Sequence, residues 1–211
     1  MNPRLSGRPA APLSRLGAAL ALGAALAASG AAHAQAVVSG YSVIAPGAGT
    51  GVTGALAVNE TSGLNNAQAN QLTIATGGTV VVNGNFISQD AGAAARLNNA
   101  TATIGSNAFA NTSGAVMVNQ SAGVANLQSN SAQIGTAAMG VETVSDGDLS
   151  AAAASNGGRG QMVQTSGIRE AGISSSAFRN ATGLVQVNQT AGAGNATANS
   201  FVLRPPAGTL F

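Results

Sequence analysis

The sequence contains no cysteine, no tryptophan and no lysine, and its aromatic complement is one tyrosine and five phenylalanines. Without cysteine it is not one of the small secreted modules stapled by disulfides. The single histidine, His33, falls in a segment that reads as a cleavable leader. The remaining chain therefore has no Cys, His or Lys for nucleophilic, Schiff-base or metal chemistry. Asp146-Gly147-Asp148 lacks the spaced acidic ligands of a calcium loop, and no glycine-rich stretch ends in the Gly-Lys-Ser/Thr of a phosphate loop. No carboxylate pair sits in a recognisable glycosidase setting. The sequence gives no reason to expect an enzyme, a cofactor or a metal.

Charge is scarce as well, at 7% of residues. Beyond the leader, Arg96, Arg159, Arg169, Arg179 and Arg204 stand against Glu60, Asp90, Glu142, Asp146, Asp148 and Glu170. Five positive against six negative charges leave −1, and the arginines are scattered. A nucleic-acid partner would need a clustered basic footprint, so none is expected. Proline beyond the leader occurs only at Pro46, Pro205 and Pro206, leaving a long interior free of the residue that cannot donate to a β-ladder.

Residues 1–34 carry the marks of a secretory signal. Arg4, Arg8 and Arg15 form a positive start, Leu16 to Ala28 a short apolar run, and Ala32-His33-Ala34 a small-x-small cleavage site before Gln35. The run is shorter than a bilayer span, and no later segment qualifies as a transmembrane helix. The expectation is a chain exported through the periplasm to the extracellular surface. What remains is rich in Gly, Ala, Ser, Thr, Asn and Gln. Leu, Ile, Val and Phe make up only about a fifth of it, near the lower limit for a conventional core. With net charge near zero this is not charge-driven disorder, and the composition is the one linked to β-assembly.

One motif is written three times without gaps, as Ala57–Ile74, Met117–Ile134 and Gln186–Leu203, with corresponding positions 60 and then 69 residues apart. The last two copies also share an upstream Ala-Phe-x-Asn-x-Ser/Thr-Gly, at Ala108–Gly114 and Ala177–Gly183, of which the first copy keeps only Gly54. Each copy alternates with a period of two, broken by a turn at Gly63, Gly123 or Gly192. In the second copy Val116, Val118 and Gln120 share one face before the turn Ala122–Ala125. Asn126, Gln128, Asn130, Ala132 and Ile134 share one after it. A helix would not keep that period in all copies. The pattern predicts an all-β fold of hairpin or solenoid repeats that stack as cross-β structure.

The amides are the informative side chains. A stacked amide donates and accepts along the stack at the β-spacing. The predicted ladder comprises Asn66, Gln68 and Asn70; Gln120, Asn126, Gln128 and Asn130; and Gln189, Asn195 and Asn199. Apolar ends such as Val118 and Ile134 are expected to close a thin dry core. The division that follows is a leader at 1–34, an N-terminal segment at 35–53 and repeats at 54–75, 104–135 and 173–204. Linkers occupy 76–103 and 136–172, and a tail 205–211. Thr79 to Ile87, with Asn83-Gly84 between apolar runs, reads as a hairpin.

Val58–Asn70, Val118–Asn130 and Val187–Asn199 follow Val-Asn-x-x-x-Gly-x-x-Asn-x-Gln-x-Asn, with Thr197 in place of the Gln. This resembles the repeats of functional-amyloid fibre subunits of the Fap type. More distantly, Gln120-x-x-Gly123-x-x-Asn126 is similar to curlin repeats. The Cys-x-Cys pair usual in the principal Fap subunit is missing, as is an Asp after the turn glycine. The resemblance implies self-assembly into fibres after secretion through an outer-membrane export pore, together with related fibre subunits. The function expected is a structural subunit, major or minor, of an extracellular amyloid supporting biofilm matrix and surface adhesion. The alternative is a monomeric β-solenoid adhesin that binds a surface through one regular face.

Overall fold

A computed structural model describes residues 36–77, 81–91, 95–136, 141–143, 164–165 and 167–204. The leader 1–34, the tail 205–211, Arg159, Asp146 and Asp148 lie outside the described residues. Described residues form strands and turns, and none is helical.

The chain winds through three similar rungs. The first holds β1 (Ala36–Ile44), β2 (Thr53–Leu64), β3 (Ala67–Thr76) and β4 (Val81–Asn83). The second holds β5 (Ala95–Ile104), β6 (Ser113–Val124), β7 (Leu127–Thr136) and β8 (Val141–Thr143). The third holds β9 (Gln164–Thr165), β10 (Arg169–Ile173), β11 (Thr182–Ala193) and β12 (Ala196–Leu203). Every lateral pairing is parallel. β1, β5 and β10 make one sheet, with β9 also on β5; β2, β6 and β11 make a second, β3, β7 and β12 a third, and β4 pairs β8. Asn119 lies beside both Asn59 and Asn188, and Asn130 beside both Asn70 and Asn199. The repeat spacing in the sequence is therefore the register of the sheets. This is a β-solenoid of three rungs, all-β as the pattern predicts.

The middle strand β6 explains how a chain so poor in large apolar residues closes a core. Val116 and Val118 pack with Ile44, Ile104, Ala108 and Phe109 on one side, and Ala122 and Val124 meet Ala95, Leu97, Ala100 and Ala102. On the other side Asn119 reaches across to Ala69 and Asn70 in the third sheet. With a neighbour on each edge and a sheet on each face, β6 is buried from Ala115 to Val124. The motif thus turns Val116, Val118, Gln120, Ala122 and Val124 to the first sheet and Asn119 to the third, and neither side of the middle strand is solvent.

Three local expectations change. Ala95–Ile104 and Arg169–Ile173, inside the stretches expected as linkers, are the first strands of their rungs and stack under Ala36–Ile44. Their side chains facing β6 are small or aliphatic, so a segment that looks featureless is sufficient there. No hairpin forms at Asn83-Gly84 among the described residues, because Val81–Asn83 pairs in parallel with Val141–Thr143 of the next rung. Ile134 does not close the dry core as Val118 does. It lines an open apolar groove with Ile74, Leu203 and Phe201, over the stacked Gly54, Gly114 and Gly183.

The turn glycines Gly63, Gly123 and Gly192 do have positive φ, but the chain remains in strand for one residue more. The corner itself is made by Asn65, Ala125 and Gly194, each left-handed at φ 51–66°. Glycine at 123 answers to a different demand. A Cβ there would lie 1.8 Å from the carbonyl oxygen of Gly192, and one on Gly63 would lie 1.9 Å from that of Gly123. The rungs approach too closely at this column for any side chain.

Candidate functional site

The sequence pattern places amides at matching positions of three copies, and parallel in-register pairing brings each set into one column. Asn126 Nδ2 donates to Asn66 Oδ1 at 2.9 Å, and Asn195 Nδ2 to Asn126 Oδ1 at 2.8 Å. The same oxygens accept the backbone N–H groups of Asn126 and Asn195, which pins the corner. Asn130 donates to Asn70, and Asn199 to Asn130, both at 2.9 Å. Each of these three also donates at 3.1 Å to a carbonyl of the facing sheet, at Val58, Val118 and Val187. Gln189 Nε2 donates to Gln120 Oε1 at 2.8 Å. Gln68 Nε2 donates in the opposite sense, to Gln128 Oε1 at 2.7 Å. That last column stops there: Thr197 is too short to continue it, and Gln128 Nε2 turns to the Gln120 carbonyl and Thr190 Oγ1.

A further column lies beyond the predicted ladder. Asn119 Nδ2 donates to Asn59 Oδ1 and Asn188 Nδ2 to Asn119 Oδ1, both at 3.0 Å. It is laced to its neighbour, since Asn119 also donates to Asn70, Asn188 to Asn130, and Asn130 back to Asn119. The signal was present: an Asn follows the shared Val in every copy. A strand with one inward face would set Asn59 out of phase with Asn66 and Asn70.

Asn119, Asn126, Gln120, Gln128 and Asn130 are fully enclosed. An unsatisfied buried amide costs about 1–3 kcal/mol, so these side chains penalise any other register. Like stacked on like lets an amide donate to one neighbour in its column and accept from the other, an arrangement that a shift of register would break. The site is therefore a specification of stacking. Among the described residues no cluster of His, Cys, Asp or Glu could hold a metal.

The columns have a sense. In the 66–126–195, 70–130–199, 59–119–188 and 120–189 sets, each rung's amide nitrogen points to the rung before it. The third rung thus ends on acceptors. Among the described residues no further strand pairs with β2 or β3 beyond the first rung, or with β11 or β12 beyond the third.

This stacked amide architecture is matched by sequence kinship. Residues 22–206 match the family described as functional amyloid protein FapB/FapC. The chain belongs to that family. FapB/FapC proteins are structural amyloid proteins rather than enzymes, and the three-rung body with its buried amides is the form that kinship takes here. No solved structure matches the chain.

Proposed function

We propose that the protein is the structural subunit of an extracellular fibre, built by stacking copies so that the third rung of one meets the first rung of the next. The observation that carries this reading is that parallel strands and amide columns run through the body and, among the described residues, have no further partner strand at either face. A parallel edge with unpaired backbone groups is a template for another strand. Since the two faces differ, one copy adds to the next in an open, non-closing series. Export through an outer-membrane pore, cooperation with related subunits, and a role in biofilm matrix and surface adhesion complete the proposal.

Thioflavin-T kinetics and fibre diffraction on residues 35–211 released from denaturant test it. Lag-phase growth with a meridional spacing of about 4.7–4.8 Å is the expected result. A stable, dye-silent monomer would sink it and leave the solenoid adhesin, which the burial of β6 from Ala115 to Val124 within a single chain favours.

A sharper test uses Gly192. Its counterparts Gly63 and Gly123 each point their missing Cβ at the carbonyl of the following rung, whereas nothing but Asn195 Nδ2, at 3.0 Å, lies near that of Gly192. In a fibre the following carbonyl belongs to the next copy. Gly192→Ala should cost the soluble body about 1–3 kcal/mol, the strain of a side chain at φ 155° beside Asn195 Nδ2, and leave it folded. It should slow seeded elongation at least tenfold. Elongation at the parent rate would show that copies do not join through this face.

A further inference from the structure

The first rung's outer edge is not bare. In β1, Ile44 turns its carbonyl to the second rung, where it accepts from Gly105 N–H at 2.9 Å. Strand alternation then aims the N–H groups of Tyr41 and Val43 away from the body, at the free edge. Both are capped by side chains of β2. Tyr41 N–H donates to Ser62 Oγ at 3.0 Å and Val43 N–H to Glu60 Oε1 at 2.6 Å. The capping residues are peculiar to this rung. Ser62 stands beside Ala122 and Ala191, and Glu60 beside Gln120 and Gln189. An alanine offers no acceptor. The two glutamines instead reach across the rungs: Gln120 Nε2 donates to Ser42 and Thr103 carbonyls, and Gln189 Nε2 to Ala102 and Gly172 carbonyls.

Glu60 is thus the one acidic member of a glutamine column, at the rung that has no predecessor within the chain. Repeating the intramolecular register across a junction would put the neighbouring copy's Ala171 carbonyl against Val43 N–H. The neighbouring copy's Gln189 Oε1 would then lie against Glu60. An ionised carboxylate has no hydrogen to offer that oxygen and holds the N–H that the incoming carbonyl needs. A protonated carboxyl supplies the missing donor. The strands packed against Glu60, namely β1, β3 and β6, carry no other charged side chain, and their only other titratable group is Tyr41, whose phenol is engaged by Asn99 Nδ2.

We infer that Glu60 and Ser62 form a removable cap on the first-rung edge, which keeps a free copy from pairing there and lets copies join when Glu60 is protonated or displaced. The inference rests on the stacking proposed above. Edge-blocking by inward-turned charge is a general device against unwanted strand pairing. Here the device is placed on the surface that assembly must use, so it sets when assembly occurs.

The test is seeded elongation of the wild type, Glu60→Gln, Ser62→Ala and Asp90→Asn at several pH values. Glu60→Gln restores the column's own residue, so it carries little risk to folding. It should elongate about tenfold faster than wild type at pH 7, the scale of one charge-assisted hydrogen bond. The difference should shrink as the pH is lowered and the wild-type carboxyl takes up the proton that Glu60→Gln supplies permanently as an amide hydrogen. Ser62→Ala should accelerate elongation about threefold at all pH values. Asp90→Asn removes the same charge from an exposed position at the corner lined by Asn65 and Ala67, where it caps neither Tyr41 nor Val43, and should stay within about twofold of wild type. Equal rates for Glu60→Gln and wild type at pH 7, or equal acceleration by Asp90→Asn, would overturn the cap and leave the fibre reading standing. A wild type that forms no cross-β fibre at any pH would sink the fibre reading itself.

Discussion

Asn119→Asp should destabilise the stack by about 3–5 kcal/mol, the usual cost of leaving a buried charge without its partner. Asn119 is fully enclosed at the centre of the middle rung. Its Nδ2 faces three acceptors, Asn59 Oδ1, Asn70 Oδ1 and the Ala69 carbonyl, at 2.8–3.0 Å. Its Oδ1 receives hydrogens from Asn130 and Asn188. A carboxylate keeps the second pair of bonds and replaces the first three with repulsions between oxygens. Burial and oxygen neighbours both raise a carboxyl's folded-state pKa, so the unfolded chain ionises first and stability falls as pH rises above about 4. The variant should therefore recover part of its loss in acid, where the protonated group regains one donor. Denaturant titrations at pH 3 and pH 7 decide the matter, and a variant within 1 kcal/mol of the parent at pH 7 would refute the column's role. Asn199→Asp, on the outer rung and half-exposed, should cost visibly less.

The contrast between those two positions marks where sequence reading stops. The predicted amides fall at matched positions of parallel strands, with Thr197 rather than an amide beside Gln128 and Glu60 beside Gln120, because a gapless repeat pairs corresponding positions. What the repeat cannot convey is how many layers surround it. Asn59, Asn119 and Asn188 alternate out of phase with Asn66 and Asn70, and a strand with one buried face would put them in water. Asn119 and Asn188 are buried, and Asn59 faces the same layer from the exposed edge, because the second sheet is a middle layer, and that depends on β1, β5 and β10. These first strands share little beyond Ile44, Ile104 and Ile173 at matched ends. Packed against a strand that already supplies Val116, Val118 and Val124, they need only small residues, and small residues leave no motif.

The Asn83-Gly84 signal failed for a related reason. A tight two-residue turn requires the chain to pair with itself, and in a solenoid the better partner is the equivalent strand one rung away. Glu60 was legible only as a position in an alternation. That it is the exception in a glutamine column, and that the exception lies at an open edge, requires knowing which strand is outermost.

Phe109→Ala should cost about 3–5 kcal/mol, and Phe109→Gly should cost less than that, an order opposite to the usual one for a core phenylalanine. The reason lies in the arc between the first two strands of each rung. Gly47, Gly49 and Gly51 are left-handed in the first rung, and Asn107, Phe109 and Asn111 repeat those values at φ 56–58° in the second. A phenylalanine in that region costs about 1–2 kcal/mol over glycine. Phe109 bears the strain because its ring fills the space over Gly49, where a Cβ would come within 2.7 Å of it, and stacks on Phe178 with centroids 5.1 Å apart. Alanine loses the ring and keeps the strain; glycine loses the ring and relieves it, so it should be the more stable of the two by about 1 kcal/mol. Phe178→Ala should cost less than Phe109→Ala, since Phe178 is only half-buried on the outer rung. Guanidinium midpoints of the three variants read this directly, and an alanine variant more stable than the glycine one would show that the left-handed arc carries no strain. The arc then has a consequence for assembly. Each rung lends its ring to the rung before it, and the first rung has a glycine where the others have a ring. A junction between copies therefore carries one fewer aromatic contact than a junction within a chain, so fibres should part between copies before the rungs of one copy separate.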